Sequence, residues 1–187
     1  MPNQRCVALL RGINVGTAKR VGMAKLRAMV EDLGYTDVRT LLNSGNLVFE
    51  AAKSGYGKAA QRIEKALDSR LRVTARVTVI SAEELVALIK ACPLAKVADN
   101  PSRLLVGILA DPADRVKLAE IAGKDWGKER IALGRDREVF MWMPRGVAES
   151  RLNTAVSKAL GDGITSRNWA TIMKLKEMTE EGQGEGR

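Results

Sequence analysis

The chain has 187 residues and a formal net charge of +9, with 45% hydrophobic and 28% charged residues. This length suits one ordinary domain or two small ones, and this composition excludes wholesale disorder. Because the sequence contains no histidine, Ser-His and Cys-His triads, imidazole bases and most zinc sites are excluded. We therefore expect neither a metal site nor a cofactor, and a basic surface that favours anionic partners.

The cysteine content and the apolar runs bear on location. Cys6 and Cys92 are the only cysteines and no CxxC pair occurs, which favours a reducing cytoplasm. The run over 6–10 is too short for a signal peptide. The run over 104–110 is far below the roughly 18 residues that a membrane span needs. We expect a cytoplasmic protein with no membrane partner.

The first half of the chain alternates strand and helix patterns in the order β-α-β-β-α-β, which is typical of a ferredoxin-like fold. Right-handed crossovers would make the first two strands parallel, with the third strand antiparallel between them. The segment RGINVG (11–16) and the hairpin turn NSGN (43–46) should then be neighbours. The predicted elements are a buried strand over 5–11, a helix over 23–33, hairpin strands over 38–42 and 47–51, a helix over 56–71 and a half-buried strand over 73–79.

The pattern restarts after a third helix, for which Ser81 and Glu84 form a capping box and which Pro93 ends. The predicted elements after the linker over 94–101 are a strand over 104–110, a helix over 111–122, a hairpin over 130–133 and 138–143, a helix over 150–160, a strand over 163–166 and a helix over 169–178.

We therefore predict an α+β fold of two ferredoxin-like (βαββαβ-type) subdomains with mainly antiparallel sheets, and leave open an exchange of C-terminal elements between them. The predicted boundaries are 1–92 for the first subdomain with its connecting helix and 101–178 for the second. Residues 179–187 are predicted to be a disordered tail.

The segment RGINVG lies between a strand and a helix, where backbone amides and a helix N-terminus can hold an anion. Arg11, Lys19 and Arg20 would add positive charge. The spacing is not that of a P-loop, because Gly12 and Gly16 bracket three residues and no lysine follows directly. The alternative is an ordinary loop whose glycines only allow the turn.

Two further polar clusters are candidates for ligand contacts. In NSGN, Asn43, Ser44 and Asn46 offer amide and hydroxyl groups, or simply make a hairpin turn. In TSRNW (165–169), Arg167 could clamp an anion and Trp169 could stack on a ligand. The alternative is that Asn168 or Ser166 caps the last helix.

A basic stretch and the polar residues leave two other functions open. Lys58, Arg62 and Lys65 share one helix face, and Arg72 and Arg76 follow. Together they could track nucleic-acid phosphates, or form a solvated face. An enzyme without histidine is the third hypothesis, but no catalytic residue can be named, because Ser44 has no imidazole partner.

The segments ALLRGINVG, VGMAKLRAMVEDLGYTDVRTLLNSGNLVF and TSRNWATIMKL resemble the bacterial domain of unknown function 1697 family over about residues 5 to 178. The resemblance implies two ferredoxin-like α+β subdomains and no established activity, cofactor or catalytic residue. Gly22 stands where members often carry proline. The family-typical positions are Arg11, Gly12, Asn14, Gly16, Asn43, Ser44, Gly45, Asn46, Arg167, Asn168 and Trp169.

The sequence thus favours a protein that binds a small anionic or nucleotide-like ligand where RGINVG meets NSGN, with TSRNW completing the site. Its oligomeric state stays open. The candidate contacts are Arg11, Asn14, Lys19, Asn43, Ser44, Asn46, Arg167, Asn168 and Trp169.

Overall fold

The computed structural model describes residues 3–14 and 20–181, which form two compact units. The first unit comprises Met1–Leu85 with Leu175–Arg187, and the second comprises Val86–Lys174. This division differs from the boundaries predicted from the sequence, because the end of the last helix belongs to the first unit. Among the described residues, no helix is long and apolar enough to cross a bilayer.

Each unit contains one four-stranded sheet in which every pairing is antiparallel. The elements of the first sheet and its helices are β1 (Asn3–Arg11), α1 (Met23–Glu31), β2 (Thr36–Leu41), β3 (Asn46–Ala52), a 3₁₀ segment (Lys53–Lys58), α2 (Ala59–Leu71) and β4 (Arg76–Ser81). The helix α3 (Ala82–Ala91) follows. The remaining elements are β5 (Leu104–Leu109), a 3₁₀ segment (Pro112–Asp114), α4 (Arg115–Ala122), β6 (Arg130–Leu133), β7 (Glu138–Trp142), α5 (Arg151–Leu160), a 3₁₀ segment (Gly161–Gly163), β8 (Ile164–Asn168) and α6 (Trp169–Glu180).

The strand order is β2-β3-β1-β4 in the first sheet and β6-β7-β5-β8 in the second. Both orders follow from the same βαββαβ connection, with β3 antiparallel between the parallel strands β1 and β2. The predicted α+β fold of two ferredoxin-like subdomains is confirmed.

The core of the first unit lies between the sheet and the helices α1 and α2. Cys6, Ala8 and Leu10 of β1 pack in one cluster with Leu26 of α1 and Ile63 of α2. The intervening positions of β1 are buried as well, so the run CVALL is apolar throughout instead of alternating. In the second unit, an equivalent cluster joins β5 and β7 to α4 and α5.

Three predicted elements differ in the structure. β4 begins at Arg76 and not at residue 73, because α2 ends in the left-handed Arg72 (φ 56°) and the chain needs residues 72–75 to turn into the strand. Thr78 is buried, so the predicted half-buried alternation is wrong there.

The 3₁₀ segment Lys53–Lys58 replaces the first turn of the predicted second helix. β8 extends to Asn168, which places Arg167 in a strand.

The predicted disordered tail is wrong for residues 179–181, since α6 continues to Glu180 and Thr179 is buried. The guanidinium of Arg5 donates to the carbonyl of Thr179 at 3.0 Å, and that of Arg39 donates to the carbonyl of Met178. Positive charge at a helix C-terminus stabilises the helix. These bonds also give donors to carbonyls of the last turn, which have no intrahelical partner. Residues 182–187 lie outside the described residues.

Candidate functional site

Asn14 ties the loop after β1 to the turn between β2 and β3. Its side-chain nitrogen donates to the carbonyl of Asn43 at 2.6 Å and to that of Val21 at 3.1 Å, and its oxygen accepts from the amide of Val21 at 2.7 Å. Asn14 is left-handed (φ 54°), a conformation that asparagine tolerates better than most residues. The predicted contact between RGINVG and NSGN is confirmed, and the side chain of Asn14 is largely occupied in making it.

The turn itself is closed by its own side chains. The side-chain nitrogen Nδ2 of Asn46 donates to the carbonyl of Leu41 and to the hydroxyl of Ser44, both at 2.9 Å. Asn46 is fully buried, so its side chain shapes the turn, and its predicted contact with a ligand stays a prediction. Gly45 (φ +77°) is packed so tightly that an added Cβ would lie 2.7 Å from Ile13 Cδ1.

A cleft of about 380 Å³ opens beside this junction, between the described part of the β1–α1 loop and the β2–β3 turn. We call it the entry cleft, because it lies at the point where the chain enters α1. It is lined by Asn14, Arg20, Val21, Gly22, Met23 and Asn43.

The start of α1 faces this cleft. Gly22 occupies the N-cap position in extended conformation, and within residues 3–14 and 20–181 no side chain caps the helix and no acidic residue lies in its first turn. The first amides of a helix have no intrahelical acceptor, and together they carry a partial positive charge. Arg20 is exposed and adds a full charge. Among the described residues, the entry cleft is therefore lined by one cationic side chain and by no carboxylate.

Arg11 is not one of the residues that line the entry cleft. It ends β1 directly opposite Arg76 of β4. Because Leu10 faces α1 and α2, alternation along the strand directs Arg11 toward the other face of the sheet. Lys19 and Gly16, which the sequence also singled out, lie outside the described residues.

Comparison with known proteins adds a family to this geometry. The model of the family described as Protein of unknown function (DUF1697) matches residues 3–140. The chain belongs to this family. Among solved structures, a conserved bacterial protein from Streptococcus pneumoniae is similar with a TM-score of 0.77 and 23% identity, over 95% of this chain and 99% of that one. No curated protein matches the chain. The match to that protein supports the fold of this family member.

TSRNW lies in the second unit, at the end of β8 and the start of α6. Asn168 caps α6, since its side-chain oxygen accepts from the amide of Thr171 at 2.9 Å. Arg167 donates to the carbonyl of Ser166 at 2.8 Å and pairs with Val106 in the sheet register. The capping alternative therefore holds for Asn168. The convergence of TSRNW, including Trp169, with the two loops of the first unit stays a prediction.

The basic residues proposed for nucleic acid do not form one surface. Lys58, Arg62 and Lys65 are exposed along the start and middle of α2. Arg62 donates to the carbonyl of Leu33 at 2.7 Å and lies over the ring of Tyr35 at 5.2 Å. Arg72 caps α2. Arg76 neighbours Val77, which packs against α2, so it projects from the opposite face of the sheet. Nucleic-acid binding stays a prediction.

The described residues include two buried thiols, Cys6 and Cys92, whose pKa is raised by burial. No group of three or more Cys, Asp or Glu residues that could hold a metal ion occurs in residues 3–14 and 20–181. Burial raises the pKa of the Cys6 thiol to about 12, so it is protonated and unreactive at neutral pH. Burial also raises the pKa of Cys92.

Gly22 lines the entry cleft but is not among the contacts predicted from the sequence, although the sequence carries a signal for it. Gly22 directly before a helix with no acidic first turn predicts an unoccupied N-terminus, because the preferred capping residues are Ser, Thr, Asp and Asn. The burial of Asn46 had no such signal, because asparagine is equally common at exposed turn positions.

Proposed function

We propose that this family member binds a small anionic ligand in the entry cleft, with the phosphate or carboxylate of the ligand at the start of α1. The observation that carries the proposal is the cleft itself, where Asn14 holds two loops together beside a helix N-terminus that no described side chain caps. Anions bind favourably at such termini because amides and the helix dipole act together.

The charges around the cleft support an anion over a cation or a neutral ligand. Among the residues that the structure describes, Arg20 is the one charged side chain that lines it, and Lys25 and Arg27 are exposed farther along in α1. Within the described residues, Arg20 makes no ion pair with a carboxylate. Its guanidinium can therefore give two parallel hydrogen bonds to a phosphate or carboxylate.

The size of the cleft restricts the ligand. A volume of about 380 Å³ lies at the low end of the roughly 300–1,000 Å³ that small-molecule sites occupy. Leu42 precedes the lining residue Asn43 in the turn, is 54% exposed and has a positive φ of 59°. Such a conformation is rare for a bulky residue, and Leu42 is an exposed apolar side chain one residue from the cleft lining. A phosphate joined to a small organic group, as in a nucleotide, suits this combination.

The test is a titration of the whole chain with inorganic pyrophosphate, followed by calorimetry and by the shift in Tm. Arg20→Gln removes the charge at the cleft, and Arg27→Gln removes the same charge one turn farther along α1. We expect about tenfold weaker binding in Arg20→Gln, the usual contribution of a charged hydrogen bond, and unchanged binding in Arg27→Gln. Equal affinities in the two variants would reject the entry cleft as the site.

The same titration examines the wider site predicted from the sequence. Arg11→Ala and Arg167→Ala each remove a guanidinium that was expected to pair with the anion. A loss of affinity in both variants supports a ligand large enough to reach beyond the entry cleft. Unchanged affinity in both, with a loss in Arg20→Gln, restricts the ligand to the residues that line the cleft.

A further inference from the structure

A second cleft lies wholly within the second unit, where the chain enters β6 and leaves β7. It has a volume of about 340 Å³, and the side chains that matter here are Trp126, Lys128, Glu129, Arg145 and Arg151. We call it the tryptophan cleft. It shares no residue with the entry cleft.

The sheet register explains why these residues meet. Arg130, at the start of β6, pairs with Trp142, at the end of β7. The segments 126–129 and 143–151 therefore lie side by side at one end of the sheet. The carboxylate of Glu129 joins them, because it accepts the amide of Leu152 in the first turn of α5 at 3.0 Å. Both walls of the cleft are thus fixed by main-chain structure.

The indole of Trp126 is held in one position by its own hydrogen bond. Its Nε1–H donates to the carbonyl of Ile121 at 2.8 Å, and the ring packs against the apolar cluster of the second unit. The side chain is only partly buried, so part of the ring remains accessible in the cleft. A fixed aromatic face beside cationic groups is a suitable support for a planar ring.

The three cations of the cleft are exposed, and none of them pairs with a carboxylate in the described parts of the chain. They are Lys128, Arg145 and Arg151. In the described parts of the chain, Glu129 is the one carboxylate that lines the cleft, and one of its oxygens already accepts the amide of Leu152. The clustering of three like charges is unfavourable in the free protein and becomes favourable when an anion binds between them.

We propose that the tryptophan cleft is a second ligand site, which binds a small organic phosphate that carries a planar ring. The phosphate lies between Arg145 and Arg151, whose guanidinium groups bond two oxygens at once, and Lys128 contributes its charge. The ring stacks on Trp126. The N-terminus of α5 is not itself proposed to bind the phosphate, because Ser150 and Glu129 already accept its first amides.

Adenosine 5′-monophosphate is a suitable probe, with indole fluorescence of the whole chain as the readout. We expect saturable quenching in the wild type and its loss in Trp126→Phe, which keeps an aromatic ring in the apolar cluster. Ribose 5-phosphate, which lacks the planar ring, should compete only weakly. The double variant Arg145→Gln/Arg151→Gln should bind at least about tenfold more weakly, because it loses two charged hydrogen-bond donors on the surface.

The matched control is Lys124→Gln, which removes an exposed charge near the end of α4 that is paired with Glu120 at 3.0 Å. It should bind the probe like the wild type. Equal affinity in the wild type and in the double arginine variant would overturn the proposal, as would quenching that persists in Trp126→Phe. Arg20→Gln should leave the quenching unchanged, so the two sites can fail independently.

Discussion

The two units make the same connection, from the central strand of the sheet to the first helix, in opposite ways. In the second unit, Asp111 follows β5 almost directly and caps the 3₁₀ segment Pro112–Asp114 that leads into α4, because its carboxylate accepts the amide of Ala113 at 2.9 Å. In the first unit, residues 12–22 separate β1 from α1, and among the described residues no side chain caps the helix at Gly22. The approach to α4 thus begins with a capped 3₁₀ segment, whereas the described part of the approach to α1 shows no such cap.

The hairpin turns show the same contrast within a shared design. In each unit, a side chain from the helix entry bonds the turn of the neighbouring hairpin. Asn14 donates to the carbonyl of Asn43 at 2.6 Å, and Arg115 donates to the carbonyl of Asp136 at 3.2 Å. Both units thus make a link at this position, with a short side-chain amide in the first unit and a long guanidinium in the second. Functional sites are expected where polar groups lack the partners that local sequence preferences would normally supply.

The largest expected effect is that of Gly45→Ala, which tests whether the first turn is as tightly fixed as its packing indicates. The added Cβ would lie 2.7 Å from Ile13 Cδ1 and 2.8 Å from Leu10 Cβ, at a positive φ of 77°. We expect the free energy of unfolding to fall by about 3 kcal/mol, from strain and overpacking together. Gly34→Ala is the control, since its φ is +87° but nothing lies within 4 Å of the added atom. It should cost about 1 kcal/mol in the same urea titration.

Asn14→Ala comes next, because it removes the link that distinguishes the first unit. The variant loses three hydrogen bonds, to Val21 and Asn43, and places alanine at a φ of 54°. We expect a loss of about 2 kcal/mol in the free energy of unfolding. Arg115→Ala, which cuts the corresponding link in the second unit, should cost about 1 kcal/mol, because the guanidinium is only partly buried. Equal costs would show that the two links are equivalent and would remove the contrast.

The element order could be predicted because it depends on local patterns. Buried apolar runs, the glycine after α1 and the capping box all act over a few residues. The box is present, with the amide of Ser81 donating to Glu84 at 2.7 Å and the amide of Glu84 donating to Ser81 at 3.1 Å. The neighbourhood of RGINVG and NSGN then followed from the handedness of strand crossovers.

The remaining features depend on contacts that sequence spacing does not encode. Arg5 and Thr179 are separated by 174 positions, so nothing local indicated that the end of α6 would bond to β1. The start of β4 was misplaced because the alternation of Val73 and Ala75 continues through a turn that Arg72 initiates. In the candidate site, the sequence predicts the positions of the two loops, whereas the burial of Asn46 and the position of Gly22 at the cleft are known only from the structure.

The two central strands also differ in a titratable group, which predicts a pH effect. β1 carries Cys6 in its core, whereas β5 (LLVGIL) has no ionisable side chain. Burial raises the pKa of Cys6 from 9.0 to about 12, so the folded state holds the thiol proton more tightly than the unfolded state does. This contribution to stability is complete below pH 9 and is lost as the pH rises toward 12.

Urea titrations of the wild type and of Cys6→Ala at pH 8 and pH 10 measure this effect. We expect the wild type to lose about 1 kcal/mol more than Cys6→Ala over that interval, since one pKa unit corresponds to about 1.4 kcal/mol. The thiol of Cys6 should also resist modification by a disulfide reagent in the folded protein at pH 8. Identical losses in the two proteins would show that Cys6 is not the titrating group.

The smallest change in stability is expected from Gly22→Asp, which places an aspartate directly before α1, as Asp111 stands before the 3₁₀ segment of the second unit. Gly22 has an ordinary extended conformation (φ −69°), and no described atom lies within 4 Å of an added Cβ, so the backbone accepts a side chain without strain. An aspartate at this position accepts amides of α1 and complements the helix dipole. We expect it to raise the free energy of unfolding by about 0.5–1 kcal/mol.

The same variant should lose pyrophosphate binding, because its carboxylate occupies the place proposed for the anion and repels it. Gly22→Ser is the matched control, since it caps the helix without adding charge, and its affinity should lie between those of the wild type and Gly22→Asp. A higher free energy of unfolding together with weaker pyrophosphate binding in Gly22→Asp would indicate a ligand site and not only a helix end that lacks a cap. A stabilised Gly22→Asp protein that still binds pyrophosphate as tightly as the wild type would show that the open entry of α1 is not the anion site.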